Sequence, residues 1–287
     1  METVKLNNGI EMPILGYGVY QVSPEECERC VSDAISAGYR LIDTAQAYYN
    51  EEGVGAAISK CGVPRNELFI TTKVWITNAG EQRAAASIDE SLRKLKTDYI
   101  DLLLIHQPFG DYYGTWRAME AALRAGKVRA IGVSNFYPDR FVDLAENAEI
   151  KPAVNQLKTN VFSQQWDSEK EMKEYGSHIM AWAPLAQGDP DLQTNPTLVS
   201  LAEKYGKTTQ QVALRYLIER GIIAIPKSTH LERMKQNIDV FDFSLTPEEV
   251  DGIRHLDKPA DFRWSHRNPE LVRFLLNYDK QFNPAKK

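Results

Sequence analysis

Short apolar runs alternate with amphipathic stretches from one end of the chain to the other. Eight of them read as strands: ILGYGV (14–19), YRLID (39–43), LFITTKV (68–74), YIDLLLI (99–105), VRAIGV (128–133), PAVNQL (152–157), HIMAWA (178–183) and IIAIP (222–226). Most are rich in β-branched residues or leucine and nearly continuous in their apolarity, as strands covered on both faces are. The segments between them carry the helical period. Ala85, Ile88, Leu92 and Leu95 fall at steps of three and four, as do Trp116, Met119 and Leu123. Gly38, Gly62, Gly126 and Gly221 stand where such helices should stop.

Eight strand–helix alternations in 287 residues predict an α/β fold, a (β/α)8 TIM barrel, with residues 1–287 forming one domain. A doubly wound dinucleotide fold is the rival. It would carry G-x-G-x-x-G after its first strand, and Gly16 and Gly18 have no third partner. Two pieces lie outside the repeat. VKLNNGIEMP, with Asn8-Gly9 at its centre, predicts an N-terminal β-hairpin with a type I′ turn, placed to plug the barrel bottom. After the last strand, helices near 230–238 and 247–255 lead into an irregular tail from Asp257 to Lys287.

Composition narrows the function classes. With 34 basic and 39 acidic side chains the formal charge is −5, against the basic stripe of a nucleic-acid binder. No apolar run approaches the ~18 residues that read as a membrane span. The opening METVKLNNGIEMP lacks the basic and then apolar order of a secretory signal. Three cysteines fit a reducing compartment, so the expected location is the cytoplasm. Cys27 and Cys30 form C-x-x-C inside a predicted helix, with no second pair to complete a zinc site. They read as two small residues on one helical face, and no metal is expected.

Catalytic groups of a (β/α)8 barrel come from the C-terminal ends of several strands. Here the second, third and fourth predicted strands end in Asp43, Lys73 and His106, and Tyr48 follows Asp43 by five residues. Taken singly, Asp43 caps a helix, Tyr48 is one of 13 tyrosines in packing, and Lys73 is a solvated strand end. Their joint placement favours a catalytic tetrad. The other histidines (His178, His230, His255 and His266) are at no such position. Ser134-Asn135, Asn155-Gln156, Trp182 to Pro184 and Pro226-Lys227-Ser228 end the later strands.

In order and spacing, GYRLIDTAQAYYNEEGVGAAI, LFITTKVW, DLLLIH, GVSNF, PAVNQ and IPKSTHLERMKQN resemble the aldo-keto reductase superfamily over roughly residues 5 to 256. The likeness is greatest to small bacterial-type members acting on aldehydes, α-dicarbonyls and keto-sugars. The chemistry can be argued from the residues themselves. A free tyrosine, with a pKa of about 10, is a reluctant acid. A nearby lysine cation lowers that value, and an adjacent carboxylate keeps the lysine charged. Tyr48, Lys73 and Asp43 supply these parts, and His106 is expected to hydrogen-bond the substrate oxygen.

Lys227, Ser228, Thr229 and Arg233 gather cations and hydroxyls at a helix start, which suits a phosphate. The resemblance implies an adenosine 2′-phosphate there, hence NADPH/NADP+. It places Asn237, with Gln236 and a stacking Arg233, at the adenine. It also implies that Ser134, Asn135 and Gln156 grip the nicotinamide carboxamide and that Trp182 stacks on the ring. Pro184 and Leu185 open a loop (185–195) expected to fold over the pyrophosphate. Gln107 stands where many relatives carry tryptophan, leaving Tyr20, Trp75 and Phe109 as apolar pocket walls. Phe262 and Trp264 in the tail are expected to close one side. Asn160-Val161 replaces a His-Pro often seen in relatives, with no catalytic consequence expected.

The reading is a monomeric NADPH-dependent reductase of small-molecule carbonyls with Tyr48 as general acid, and no nucleic-acid or membrane partner. Two alternatives stay open at this level. One is a non-catalytic NADPH sensor or regulatory subunit on the same barrel, and the other a lyase or isomerase forming a Schiff base on Lys73.

Overall fold

The computed structural model describes residues 2–259 and 265–283. A two-stranded hairpin, β1 (Thr3–Lys5) and β2 (Glu11–Pro13), precedes eight barrel strands. These are β3 (Gly16–Gly18), β4 (Leu41–Asp43), β5 (Phe69–Val74), β6 (Ile100–Ile105), β7 (Val128–Ser134), β8 (Val154–Lys158), β9 (His178–Trp182) and β10 (Ile223–Ala224). All eight are parallel and pair in sequence order. The sheet closes where Leu15 bridges Ala224, with Ala224 N donating to Ile14 O at 2.9 Å and Gly18 N to Pro226 O at 3.2 Å. The barrel is therefore the architecture, and the doubly wound alternative falls. Every predicted strand is present. The first and last are shorter than expected, because the ladder at the closing seam reaches only three and two residues.

Helices α1 (Pro24–Ser36), α2 (Glu51–Lys60), α3 (Glu81–Leu95), α4 (Tyr112–Arg124), α5 (Pro138–Asn147) and α6 (Trp166–Lys173) follow successive strands. After β9 come α7 (Asp191–Thr194), α8 (Pro196–Tyr205) and α9 (Thr209–Glu219), and after β10 come α10 (Leu231–Ile238) and α11 (Pro247–Arg254). In α1, Ser23 caps the first turn through Glu26 N and Pro24 takes the first helical position. Cys27 and Cys30 face the core, and burial pushes the Cys27 thiol up to about 12. They are packing residues, as their helical setting implies. Helix α3 departs from expectation by one position. Its buried line is Ala84, Ile88, Ser91 and Leu95, whereas Ala85 is exposed and Leu92 only partly covered. A polar residue, Ser91, belongs to that line because it accepts a hydrogen bond from Gln46 at 3.2 Å. Helix α2 lies against the end of α3 so closely that a Cβ on Gly55 would meet Lys94 O at 2.2 Å.

The hairpin covers the barrel bottom. Asn7 Nδ2 donates to Pro152 O, Asn8 Nδ2 to Arg129 O, and His178 Nε2 contacts Lys5 O, all near the N-terminal ends of β7, β8 and β9. Its turn is not the expected type I′. Gly9 N donates to Leu6 O at 2.8 Å, so the central residues are Asn7 and Asn8. Neither has the positive φ that type I′ demands, and only Gly9 does, at +88°. The arrangement is a type I turn followed by a left-handed glycine, the usual three-residue hairpin loop.

The tail also differs from expectation. Residues 269–282 form α12 (Pro269–Leu276) and α13 (Tyr278–Phe282). Asn268 caps α12 by accepting from Glu270 N at 3.0 Å, and Pro269 opens it. Leu271, Phe274, Leu275 and Tyr278 then recur at helical spacing. Phe262 and Trp264 lie outside the described residues. Within the expected irregular loop at 185–195 a 3-10 turn (Ala186–Gly188) and α7 take up most of the length.

Candidate active site

Parallel strands in register bring the polar strand ends to one rim. Asp43 ends β4, Lys73 is the penultimate residue of β5, and His106 follows β6. Lys73 Nζ donates to Asp43 Oδ1 at 2.6 Å, to Thr44 O at 2.9 Å and to Tyr48 Oη at 3.3 Å. The second carboxylate oxygen of Asp43 accepts from Gln156 Nε2 at 2.8 Å. Lys73 is 0% and Asp43 2% exposed. Burial pulls each toward its neutral form, raising Asp43 and lowering Lys73, and the partner opposes that pull in both. Such a pair persists because every charged atom is hydrogen-bonded.

Tyr48 ends a 3-10 turn (Gln46–Tyr48) held from several sides. Gln46 accepts from Trp75 N and Asn78 Nδ2, both at 2.9 Å, and donates to Ser87 O and Ser91 Oγ, both at 3.2 Å. Asn50, beyond the turn, accepts from Thr44 Oγ1 at 2.8 Å and donates to Val19 O and Val22 O. The loop bearing the phenol is thereby tied to β5, α3 and the first barrel strand.

One electrostatic expectation is reversed. Lys73 was expected to draw the Tyr48 pKa down. Burial instead raises it well above 10, with Asp43, Tyr20 and Tyr278 adding to the rise. The cation is paired with Asp43 at 2.6 Å and also donates to Tyr48 Oη at 3.3 Å. Tyr48 is held as the neutral phenol. The His106 ring meets Tyr48 edge-on at 5.5 Å and Trp75 at 4.9 Å. Burial, with Lys73 and His266 adding, keeps its pKa well below 6.5, so the imidazole is neutral.

Asp43, Tyr48, Trp75 and His106 line one cleft of ≈ 1340 Å³. At its inner end, Tyr20 lies 5.0 Å from Tyr48 ring to ring, and Trp75 and Gln107 form further wall. Phe109 does not line the cleft. It stacks behind His266 at 6.0 Å with Arg140 over its ring, so His266 presents the surface that Phe109 was expected to present. His266, Leu271, Phe274, Leu275 and Tyr278 complete the wall from the tail. Sequence reasoning missed all five. The available signal was the Asn268-Pro269 helix start with its apolar stripe. Asp279 fastens this tail beside the site, accepting from Tyr49 Oη at 2.7 Å and Thr77 Oγ1 at 3.0 Å.

Toward the outer end the cleft passes Ser134, Asn135, Gln156, Trp182, Pro184 and Leu185. Ser134 Oγ donates to Gln156 O at 2.9 Å, and Trp182 Nε1 donates to Asn135 Oδ1 at 3.0 Å. Gln156 Oε1 accepts no hydrogen bond among the described residues, an open acceptor beside the tetrad. Ala183, Ala186 and Gln187 all take left-handed φ between +51° and +57°, strain of the kind that gathers at ligand clamps. Beyond β10 stand Lys227, Ser228, Thr229, Arg233, Gln236 and Asn237. Lys227 and Arg233 are exposed, and among the described residues neither has an acidic partner, although Lys235 beside them pairs with Glu232. Unpaired cations at the start of α10, together with two hydroxyls and an open amide acceptor farther in, fit an extended phosphorylated dinucleotide. No helix among the described residues is long and apolar enough to cross a membrane.

Comparison with known proteins agrees with this geometry. A profile of the Aldo/keto reductase family matches residues 14–258. Glyoxal reductase of Bacillus subtilis (strain 168) is 46% identical over 259 residues, covering 90% of this chain and 93% of that one. Morphine 6-dehydrogenase of Pseudomonas putida is 41% identical over 268 residues, covering 88% and 90%. Among solved structures, an aldo-keto reductase from a Medee basin deep-sea metagenome library superposes with a TM-score of 0.90 at 43% identity, covering 92% of this chain and 98% of that one. A Bombyx mori aldo-keto reductase in complex with NADP gives 0.86 at 40% identity, covering 91% and 94%.

Proposed function

The chain belongs to the aldo/keto reductase family and is an oxidoreductase, and from that premise we propose that it reduces small aldehydes and ketones to alcohols with NADPH. The substrate classes in view are α-dicarbonyls, keto-sugars and simple aldehydes, in keeping with the glyoxal reductase among its relatives. The single observation that carries the reading is the three-way contact of buried Lys73 with Asp43 and Tyr48, facing the His106 ring across the cleft.

When bound, NADPH supplies the hydride that the carbonyl carbon accepts. The matching proton goes to the carbonyl oxygen, giving alcohol and NADP+. Tyr48 is its donor, since burial keeps the phenol protonated and Lys73 lies 3.3 Å from the oxygen left behind. Asp43 keeps Lys73 in place. Neutral His106 donates a hydrogen bond to the carbonyl oxygen and so orients it. The apolar wall of Trp75, Phe274, Leu275 and Tyr278 excludes water from the reacting end.

For the cofactor, Ser134, Asn135 and Gln156 would hold the nicotinamide carboxamide, and Trp182 would present its ring face. Pro184 and Leu185 would border the pyrophosphate. Lys227, Ser228, Thr229 and Arg233 would take the 2′-phosphate, with Gln236 and Asn237 toward adenine. The reading extends to a cytoplasmic monomer of one domain. Its test is loss of nicotinamide absorbance on a panel of aldehydes, α-dicarbonyls and keto-sugars. Turnover on at least one class is expected, and none on any overturns the reading.

A further inference from the structure

Tyr17 stands on β3 between two glycines and is 1% exposed. A buried phenol needs a partner for its hydroxyl. Tyr17 Oη donates to Ser228 O at 2.5 Å, 211 positions along the chain. Burial, with Cys30 and Cys27 adding, lifts its pKa above 10, so the hydroxyl stays a donor near neutrality. One residue on, Gly18 N donates to Pro226 O at 3.2 Å. Adjacent residues of the first barrel strand thus hold alternate carbonyls of the segment after β10, one on each side of Lys227. The peptides there are trans and planar, so each N–H points opposite to the C=O of its own unit. With Pro226 O and Ser228 O drawn to β3, Lys227 N–H and Thr229 N–H face away from it. Neither donates to any described residue. Lys227, Ser228, Thr229 and Arg233 all line the cleft. Two open backbone donors beside two cations make a cradle for an anion.

We propose that Tyr17 is a positioning residue for the cofactor's 2′-phosphate, its hydroxyl turning the Ser228 peptide so that Thr229 N–H donates to that phosphate. Tyr17 does not line the cleft, so it acts through the peptide and not by contact. Without the hydroxyl, the Ser228–Thr229 peptide can rotate and present its carbonyl oxygen to the anion, a repelling partial charge where a donor stood. NADH carries a hydroxyl in place of the phosphate and gains little from the cradle. The loss therefore falls on discrimination between the two cofactors. This inference rests on the reading of Lys227 to Arg233 as the 2′-phosphate site and adds the residue that shapes it from behind.

The test is the ratio of Kd for NADH over NADPH, by fluorescence titration of the native chain, Tyr17→Phe and Tyr216→Phe. Phenylalanine keeps the ring and removes only the hydroxyl. Tyr216 is as deeply buried and donates to Gln164 Oε1 at 2.6 Å, but it lines no part of the cleft. Tyr216→Phe therefore reports what loss of a buried hydrogen bond does by structure alone. In Tyr17→Phe the ratio should fall about tenfold, nearly all of it through weaker NADPH binding. In Tyr216→Phe it should keep its native value. A fall of less than about threefold in Tyr17→Phe, or an equal fall in Tyr216→Phe, overturns the proposal. The native chain alone gives a second measurement, the Thr229 amide resonance on titration with adenosine 2′-phosphate and with adenosine. The phosphate should shift it and adenosine should not, and an amide that the phosphate leaves unmoved overturns the proposal without any variant. A native chain that binds NADPH and NADH equally is a distinct result, which removes the 2′-phosphate site and this inference with it.

Discussion

Lys73 and Asp43 form an ion pair sealed at the floor of the cleft, Nζ to Oδ1 at 2.6 Å, with neither side chain more than 3% exposed. Breaking such a pair from one side leaves a buried charge uncompensated, which costs about 3–5 kcal/mol. Asp43→Ala should therefore lower both stability and turnover. Lys73→Met with Asp43→Leu should restore most of the stability and none of the turnover. Chemical denaturation and steady-state rates on the three proteins separate the two effects. Stability unchanged in Asp43→Ala would contradict the pairing.

Gln46 holds the turn that carries Tyr48 through four hydrogen bonds, two accepted and two donated. Gln46→Ala should lower kcat at least tenfold while NADPH affinity stays within about threefold, because a misplaced donor loses rate steeply. Gln46→Glu keeps the two accepted bonds and should recover part of the loss. Equal kcat in native chain and Gln46→Ala would remove Gln46 from positioning.

Asp279 accepts from Tyr49 and Thr77 and keeps Tyr278 against Trp75 at a ring separation of 5.5 Å. Helices α12 and α13 bury no residue fully, so this fastening carries much of their placement. Asp279→Ala should raise KM severalfold and expose the tail to limited proteolysis, with NADPH affinity unaltered. An unchanged cleavage pattern would argue that the helices are held by their apolar contacts alone.

Lys227 and Arg233 carry charge with no acidic partner among the described residues. If they hold a 2′-phosphate, Lys227→Ala with Arg233→Ala should weaken NADPH by about a hundredfold, at roughly 1.5 kcal/mol or more for each charge-assisted contact. NADH should weaken far less. Equal loss for both, by fluorescence titration, would sink the assignment.

His266, half-buried between Phe109 and Tyr137, has its pKa lowered to about 4 by desolvation, with Arg140 adding. The unfolded chain takes up that proton near pH 6.5 and the folded chain does not. Stability from this group is therefore complete above pH 6.5 and lost as pH falls toward 4, with a slope of up to about 1.4 kcal/mol per unit. His266→Phe should flatten the native stability–pH curve in that window. Parallel curves for the two proteins would show that His266 titrates alike in both states.

The alternation of apolar strands and amphipathic helices made the barrel legible, and knowing the strand ends made Asp43, Lys73 and His106 legible as a set. Less could be read where placement depends on distant contacts. Gln46 is ordinary in sequence, since its four partners lie 29 to 45 residues away. The tail helices were hidden because their stripe packs on the rim of the barrel and not in its core. The line along α3 shifted from Ala85 to Ala84 because a hydroxyl, Ser91, was needed inside. Phe109 was misjudged as a wall because His266, 157 positions away by the numbering, covers it. The Tyr48 pKa goes the other way because the phenol is buried, which its place in the sequence does not reveal, with Asp43, Tyr20 and Tyr278 adding to the rise.

The central claim is that Tyr48 is the proton donor of a carbonyl reduction. Tyr48→Phe removes one oxygen from the cleft and leaves the Lys73–Asp43 pair and the outer cleft intact. Its NADPH affinity and its turnover on a carbonyl that the native chain reduces should be measured side by side. The account predicts affinity within about threefold of native and a rate lower by about a thousandfold. Near-native turnover with NADPH bound would contradict it.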